Sequence, residues 1–275
     1  MRLFPWPTPD ALRKYYPDTY WYAAEDNSAA QAEELYRRIV LRDHVQFVSK
    51  ALQSSGETGP VLDVGCGGGL FTRMLGERGF PVVGLDFSSE AAAIAWKGNR
   101  VPAVCGTLSS APLRRASFAG VTMFHVLEHL YDPAAYLQEA HALLKPNGRL
   151  IIQVPNAACW QFLLFGENWN GIDVPRHLID FRARDMDALL DHCGFVPLRH
   201  KFFSLRDNPA GFASSVAPSL DPMARRVRTI RESAPVRIMK DLVYFGLLLA
   251  ALPFTLLEAA CRAGSTVMIE ARKKT

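Results

Sequence analysis

The feature that most constrains this chain is an apolar run that ends in a cluster of glycines, Val61-Leu62-Asp63-Val64-Gly65-Cys66-Gly67-Gly68-Gly69-Leu70-Phe71. The first four residues suit a buried strand, and the pattern from Leu70 onward suits a helix. Between them, Gly65 and Gly67 let the backbone turn sharply and approach a ligand closely, because no Cβ stands in the way. The loop opens a helix whose first N–H groups have no partner within the helix, so a negative ligand group is favoured there.

Two nucleotide ligands compete for such a loop. The dinucleotide fingerprint needs GxGxxG, and counting from Gly65 puts its third glycine at position 70, which is Leu70. This loop runs GxGxG instead, with Asp63 two residues ahead of it. A carboxylate at that place repels a pyrophosphate and suits the ammonium and sulfonium charges of S-adenosylmethionine. A second apolar run ends in Val82-Val83-Gly84-Leu85-Asp86-Phe87-Ser88, with Asp86 twenty-one residues after Gly65. An acid at that strand end can accept hydrogen bonds from both ribose hydroxyls. The plainer alternative makes Asp86 a helix N-terminal charge beside the caps Ser88 and Ser89.

Around this unit, short β-type runs alternate with helical stretches, the pattern of a parallel sheet covered by helices on both faces. Strands are expected at Val61 to Val64, Pro81 to Leu85, Val101 to Val104, Gly120 to Phe124 and Arg149 to Val154, with Phe195 to Phe203 and Thr266 to Ala271 completing the sheet. Helices are expected at Leu70 to Arg78, Ser88 to Trp96, Pro133 to Leu144 and Met186 to His192. Lys145-Pro146-Asn147-Gly148 stands as a breaker after the third of these. Leu41, Val45, Val48 and Leu52 recur at helical spacing, which predicts an amphipathic helix over Glu33 to Gln53. The aromatic cluster Tyr15, Tyr16, Tyr20, Trp21 and Tyr22 is not periodic and reads as surface packing or a lid over a ligand. Three segments follow: 1–54 as the N-terminal aromatic stretch and helix, 55–204 with 265–275 as the ligand-binding domain, and 205–264 as an insert.

Charge and cysteine content exclude more than they assign. A net charge of +4 from 31 basic and 27 acidic residues is too small an excess to argue for a nucleic-acid partner. Five scattered cysteines, odd in number and without a CxxC pair, suggest neither a disulfide framework nor a zinc knuckle and fit a reducing compartment. Prolines in MRLFPWPTPD stand where a secretion signal needs an unbroken apolar helix, so a cytoplasmic location is expected.

With these residues in place, the chain resembles the class I S-adenosylmethionine-dependent methyltransferases from about Pro60 to Phe203 and again from Ser265. It looks most like the methyltransferase-23-like branch, with ubiquinone-biosynthesis O-methyltransferases as relatives. The closer likeness is carried by Phe124-His125-Val126-Leu127-Glu128-His129-Leu130-Tyr131-Asp132-Pro133 and by Trp169-Asn170-Gly171-Ile172-Asp173-Val174-Pro175-Arg176-His177-Leu178. The resemblance implies a Rossmann-like α/β fold, with a seven-stranded, mostly parallel sheet and an antiparallel last strand. It also implies that Asp63, Gly65 and Gly67 hold the methionine end of the cofactor, Asp86 the ribose, and Phe87 the adenine face, with His125 lining the same pocket. Thr107 stands where many members carry an acid toward the adenine amine, which leaves Leu108 as a packing surface for the ring. Ala119 likewise replaces an acid common before the fourth strand.

Methyl transfer from a sulfonium is an in-line displacement, so holding the reactants aligned and dry supplies most of the catalysis. A hydroxyl acceptor benefits from a general base, for which His125, His129 and His177 qualify by position. His125, Glu128 and His129 would share one face of a helical turn and could bind a divalent metal. The alternative is that Glu128 and His129 brace neighbouring loops through hydrogen bonds. His177 reads equally as a base or as part of a rigid turn, and Trp160 and Trp169 read as pocket wall or core.

In the insert, Leu242 to Leu257 carries no charge, and six basic residues from Arg225 to Lys240 precede it: Arg225, Arg226, Arg228, Arg231, Arg237 and Lys240. Sixteen residues rise about 24 Å as a helix, short of the roughly 30 Å hydrocarbon core, and Pro253 interrupts the run. Peripheral membrane contact through 225–260 is therefore expected rather than a span, with a homodimer interface or an acceptor-site lid as rivals. The acceptor expected from this reading is a small or lipid-linked molecule. Nucleic acid is not expected, since no Asn-Pro-Pro-Tyr type motif follows the fourth strand and Pro155-Asn156 reads as a turn. A membrane-associated protein that binds the cofactor without turnover is the alternative function.

Overall fold

The computed structural model describes residues 1–15, 28–228, 230 and 232–274. In chain order the elements are α1 (Pro9–Arg13), α2 (Ser28–Ser55), β1 (Val61–Val64), α3 (Leu70–Gly76), β2 (Val82–Asp86), α4 (Ser89–Lys97), β3 (Ala103–Cys105), β4 (Phe118–Phe124), α5 (Pro133–Leu143) and β5 (Leu144–Pro155). They continue with α6 (Trp160–Phe165), α7 (Ala183–His192), β6 (Phe195–Lys201), α8 (Asn208–Val216), α9 (Pro222–Val227), α10 (Ala234–Ala260) and β7 (Thr266–Lys273). Of the expected lid aromatics only Tyr15 belongs to the described residues, and Tyr16, Tyr20, Trp21 and Tyr22 lie outside them.

The chain divides into two compact units. The larger comprises Trp21–Val154, Ala183–His200 and Met268–Thr275 and holds the sheet, whose order is β3-β2-β1-β4-β5-β7-β6. Strands β1 to β5 pair in parallel, and the sheet is mixed and Rossmann-like, with antiparallel last strands. Every residue of β1 is buried, as a strand in a sheet covered on both faces requires. Helix α2 packs here through Leu41, Val45, Val48 and Leu52, the four residues whose spacing predicted it, in one cluster with Val61, Leu70, Phe71 and Leu75.

The expected breaker after α5 is part of a strand. Leu144 already pairs with Phe118, and Arg149 pairs with Gly120, so the residues between them form an irregularity in β5 instead of a loop. Proline and asparagine are tolerated there because a bulge leaves its extra residues out of the ladder.

An ion triad ties the far strands together. Glu270 on β7 accepts from Arg149 Nε of β5 at 3.2 Å and from Arg199 Nε of β6 at 3.0 Å. The Arg199 guanidinium also lies 3.9 Å from the centroid of the Phe47 ring on α2. Glu270 and Arg149 are both buried, so their charges depend on each other.

The second unit comprises Met1–Tyr20, Pro155–Arg182 and Lys201–Val267, so its boundaries group 155–182 with the insert. The aromatic side chains of Phe165, Phe212, Phe254 and Trp160 contact in series, with ring centroids 5.3, 5.2 and 6.3 Å apart. Glu258 of α10 accepts from the Gln161 backbone N–H at 3.0 Å and from Gln161 Nε2 at 3.0 Å, holding the start of α6. Burial pushes the Glu258 carboxyl above its ordinary value, and those bonds pull it back down.

Two expectations for the insert are corrected here. Helix α10 runs for 27 residues straight through Pro253, which was expected to interrupt it. Ala251, Thr255 and Glu258 are buried on either side of the proline, and this packing offsets an interior proline's cost of about 3 kcal/mol. The six basic residues are not all available for an external partner. Arg225 is buried and pairs with Glu232 at 3.1 Å and with Asp241, and Lys240 pairs with Glu232, while Arg231 lies outside the described residues.

Replacing Glu270 leaves the buried Arg149 charge uncompensated, so Glu270→Ala is expected to lower stability by about 3 kcal/mol in urea denaturation. A loss below about 1 kcal/mol contradicts the triad's role.

Candidate functional site

The carboxyl ends of β1, β2, β3 and β4 converge within the sheet unit, the edge where open parallel α/β sheets bind ligands. The loop after β1 turns through Gly65 at φ +72° and Gly67 at φ +52°. A Cβ on Gly65 would stand 2.7 Å from Val126 Cγ2 in addition to the strained backbone, so no other residue fits. The loop is pinned to its neighbour strand by N–H groups of Gly65 and Cys66, which donate to the Leu85 carbonyl at 2.7 and 3.2 Å.

Asp86, at the end of β2, is buried and braces this loop. Its Oδ2 accepts from the Gly67 N–H at 2.9 Å, and its Oδ1 accepts from the Ser88 N–H at 2.9 Å. The helix N-terminal reading of Asp86 is seen directly, and the same acid also shapes the glycine loop. Ser88 is the N-cap of α4, accepting from the Ala91 N–H at 3.1 Å.

Asp63 lies across the β1–β4 ladder from Thr122, in register. Thr122 Oγ1 donates to Asp63 Oδ1 at 2.7 Å, and Thr72 Oγ1 of α3 donates to Asp63 Oδ2 at 2.5 Å. Burial pushes the Asp63 carboxyl up to about 6, the two threonine hydroxyls oppose the rise, and the nearby Asp86 charge adds to it. Burial also raises Asp86, against the pull of its two backbone bonds. Among the described residues no cation offsets these acids, so the edge is an anionic place suited to a positively charged ligand. Sequence reasoning missed Thr72 and Thr122, although a polar residue inside the buried strand at 118–124 was a usable signal.

The remaining expected cofactor residues fall on the adjoining loops. Phe87 is 59% exposed directly after Asp86. The Gly106 N–H donates to the Asp86 carbonyl at 2.8 Å, which sets the Thr107 turn beside the end of β2. Thr107 donates its backbone N–H to Ser110 Oγ at 2.9 Å, and its hydroxyl contacts the same oxygen at 2.9 Å. Leu108 is buried beneath this turn.

His125 ends β4 in a left-handed conformation with φ +55°. Its Nδ1 lies 3.1 Å from Glu128 Oε1 and its Nε2 lies 3.1 Å from Gln153 Nε2. The arrangement assigns an Nδ1–H donating to the carboxylate and an Nε2 lone pair accepting from the amide. Glu128 stands between the two histidines, 3.1 Å from His125 and with a ligand atom within 4.8 Å of one of His129. The 3-10 turn covers only Leu127–His129, and the His125 ring folds back onto the buried Glu128. His129 is half-buried within that turn.

His177 belongs to the other unit. Its backbone N–H donates to the Asp173 carbonyl at 2.7 Å, and its Nδ1 donates to the Gly171 carbonyl at 2.9 Å, while Arg176 pairs with Asp173 at 2.5 Å. The turn is rigid, and its Nδ1 bond places the ring's lone pair on Nε2. Trp169 is core, buried against Phe162 with centroids 5.7 Å apart, and Trp160 is half-buried.

The raised Asp63 value carries a stability consequence. Between its ordinary 3.8 and about 6 the folded state holds the proton more tightly than the unfolded chain. Stability conferred by this group therefore falls as pH rises through that window. Asp63→Asn, which keeps an acceptor but cannot ionise, should gain stability relative to the parent between pH 4 and pH 7, by on the order of 3 kcal/mol. Parallel denaturation curves with no pH-dependent difference would falsify this.

A family model for a methyltransferase domain matches residues 32–200, well over half of the chain. The chain is 31% identical over 171 residues to a ubiquinone biosynthesis O-methyltransferase of Pectobacterium carotovorum, covering 58% of this chain and 72% of that one. It is 33% identical over 129 residues to one of Xylella fastidiosa, covering 44% of this chain and 50% of the relative, so it spans about half of that protein's length. A solved S-adenosylmethionine-dependent methyltransferase from Archaeoglobus fulgidus shares the fold at 18% identity and a TM-score of 0.54, covering 90% of this chain and 100% of that one. The glycine loop, the two carboxylates at neighbouring strand ends and these matches together establish that the chain belongs to the class I S-adenosylmethionine-dependent methyltransferase family.

Proposed function

We propose that this protein transfers the methyl group of S-adenosylmethionine to an oxygen of a small-molecule or lipid-linked acceptor, working in the cytoplasm at the inner face of a membrane. The observation that carries the reading is the pair of buried carboxylates at the ends of β1 and β2, flanking a bare glycine loop and opposed by no cation among the described residues. The names of the bacterial relatives support an oxygen acceptor. The uncharged helix face of the insert supports proximity to lipid.

In this reading Asp86 accepts from the ribose hydroxyls, and Asp63, Gly65 and Gly67 hold the methionine end. Phe87 and Leu108 offer apolar surface to the adenine, with Thr107 at its edge. The cofactor supplies an activated methyl on sulfonium, and the protein's task is to align the acceptor oxygen and exclude water. His177 is the base we favour, since its Nδ1 donates to the Gly171 carbonyl and so fixes the tautomer in which Nε2 is the basic nitrogen. His125 acts as a brace through Glu128 and Gln153, and His129 follows it on the same turn as the reserve base. With both of its ring nitrogens engaged, His125 does not serve as a metal ligand, and the reading gives a divalent ion no step.

Saturating S-adenosylmethionine should raise the melting temperature by about 5 °C, and Asp86→Ala should abolish that rise. An unchanged melting temperature in the parent protein overturns the reading. His177→Ala should keep the ligand-induced rise and lower kcat by about 10²- to 10⁴-fold, with the loss greatest at neutral pH. Labelled methyl appearing in no fraction of a host lipid or small-molecule extract would favour cofactor binding without turnover.

A further inference from the structure

Helix α10 has two opposite faces of different character, and only the more polar one packs within its unit. Tyr244, Ala251, Thr255 and Glu258 recur on a single stripe, and all four are buried. The stripe is tethered by polar bonds, with Tyr244 Oη 2.9 Å from Ser214 Oγ on α8 and Glu258 held by Gln161 on α6. On the opposite stripe Leu242, Phe245, Leu249, Leu256 and Leu257 are 66, 49, 52, 51 and 58% exposed, and Gly246 and Pro253 lie among them.

We propose that this exposed stripe seats in the surface of a lipid bilayer with the helix lying in the membrane plane. The inference deepens the membrane-proximal reading above and rests on it. A 27-residue helix is about 40 Å long and apolar enough to cross a membrane. Crossing would strip Tyr244 and Glu258 of their partners and carry a carboxyl into hydrocarbon, so the polar tethers keep the helix flat against its own unit. A protein partner is the poorer occupant, because stable interfaces need a hydrogen bond about every 100–200 Å² and this stripe offers no side chain that can make one. A bilayer surface asks for none.

Charge at the helix's amino-terminal end selects the lipid. Both acids there, Glu232 and Asp241, are taken up by Arg225 and Lys240, while Arg228 and Arg237 stand exposed. Anionic head groups complement that end. With only three exposed arginines among the described residues of that end, Arg226 included, apolar burial carries most of the affinity, and high salt weakens binding without abolishing it.

Flotation of the full chain with vesicles of phosphatidylcholine, with and without phosphatidylglycerol, tests this. Binding to both is expected, stronger with phosphatidylglycerol, persisting at high salt and released by alkaline carbonate. Leu249→Glu with Leu256→Glu should lower partitioning by about a hundredfold or more while keeping the parent's melting-temperature rise with S-adenosylmethionine. Arg228→Ala with Arg237→Ala should lose only the preference for phosphatidylglycerol. The proposal is overturned if the parent protein stays unbound, if the leucine variant binds as the parent does, or if binding resists carbonate. A dimer in sedimentation that the leucine variant dissociates also overturns it, since a second copy would then cover the stripe. Asp86→Ala should float like the parent, so failure of the cofactor reading and failure of this one are told apart.

Discussion

Two carboxylates buried at neighbouring strand ends, with no cation against them among the described residues, are the constraint around which the sheet edge is built. A buried charge is expensive unless hydrogen bonds meet it, and each acid here is met by two. Asp86 is met by backbone N–H groups, so its charge also fixes the course of the glycine loop. Asp63 is met by hydroxyls from α3 and β4, so the strand, the next helix and the central ladder are locked around one group. What remains unbalanced is the net negative charge, and a cationic nucleoside is the kind of ligand that balances it.

The histidines show how identical side chains are given different work by their surroundings. His125 sits at a strand end in a left-handed turn and is consumed as a link between Gln153 and the buried Glu128. The Nδ1 of His177 donates to the Gly171 backbone carbonyl, which fixes the tautomer a general base requires. Position in the sequence made the two equivalent, and hydrogen-bond geometry separates them.

The insert carries the opposite lesson about charge. Its run of arginines looks like an electrostatic patch, yet Arg225 and Lys240 are spent on Glu232 and Asp241. Asp241 stands next to the apolar run and takes up Arg225. The distinctive surface is therefore the uncharged stripe of α10, and the fold presents it to solvent by turning the polar tethers of the same helix inward.

Much of this was legible from residue order alone. All seven strands and helices α2 to α5 and α7 follow from local periodicity, although α6, α8 and α9 were not anticipated, and the spacing of Gly65, Gly67 and Asp86 marks the expected cofactor edge, because turn chemistry and strand length are set by near neighbours. Other features were not legible: the bulge that absorbs Pro146 to Gly148, the passage of α10 through Pro253, and the clasp of Thr72 and Thr122 on Asp63. Each depends on a partner far along the chain, Phe118 for the first and α8 for the second. Sequence determined which groups exist and which local shapes they prefer; tertiary structure alone decided which of them are buried, and burial is what turns a carboxylate, a proline or a leucine into a constraint, a tolerated exception or a binding surface.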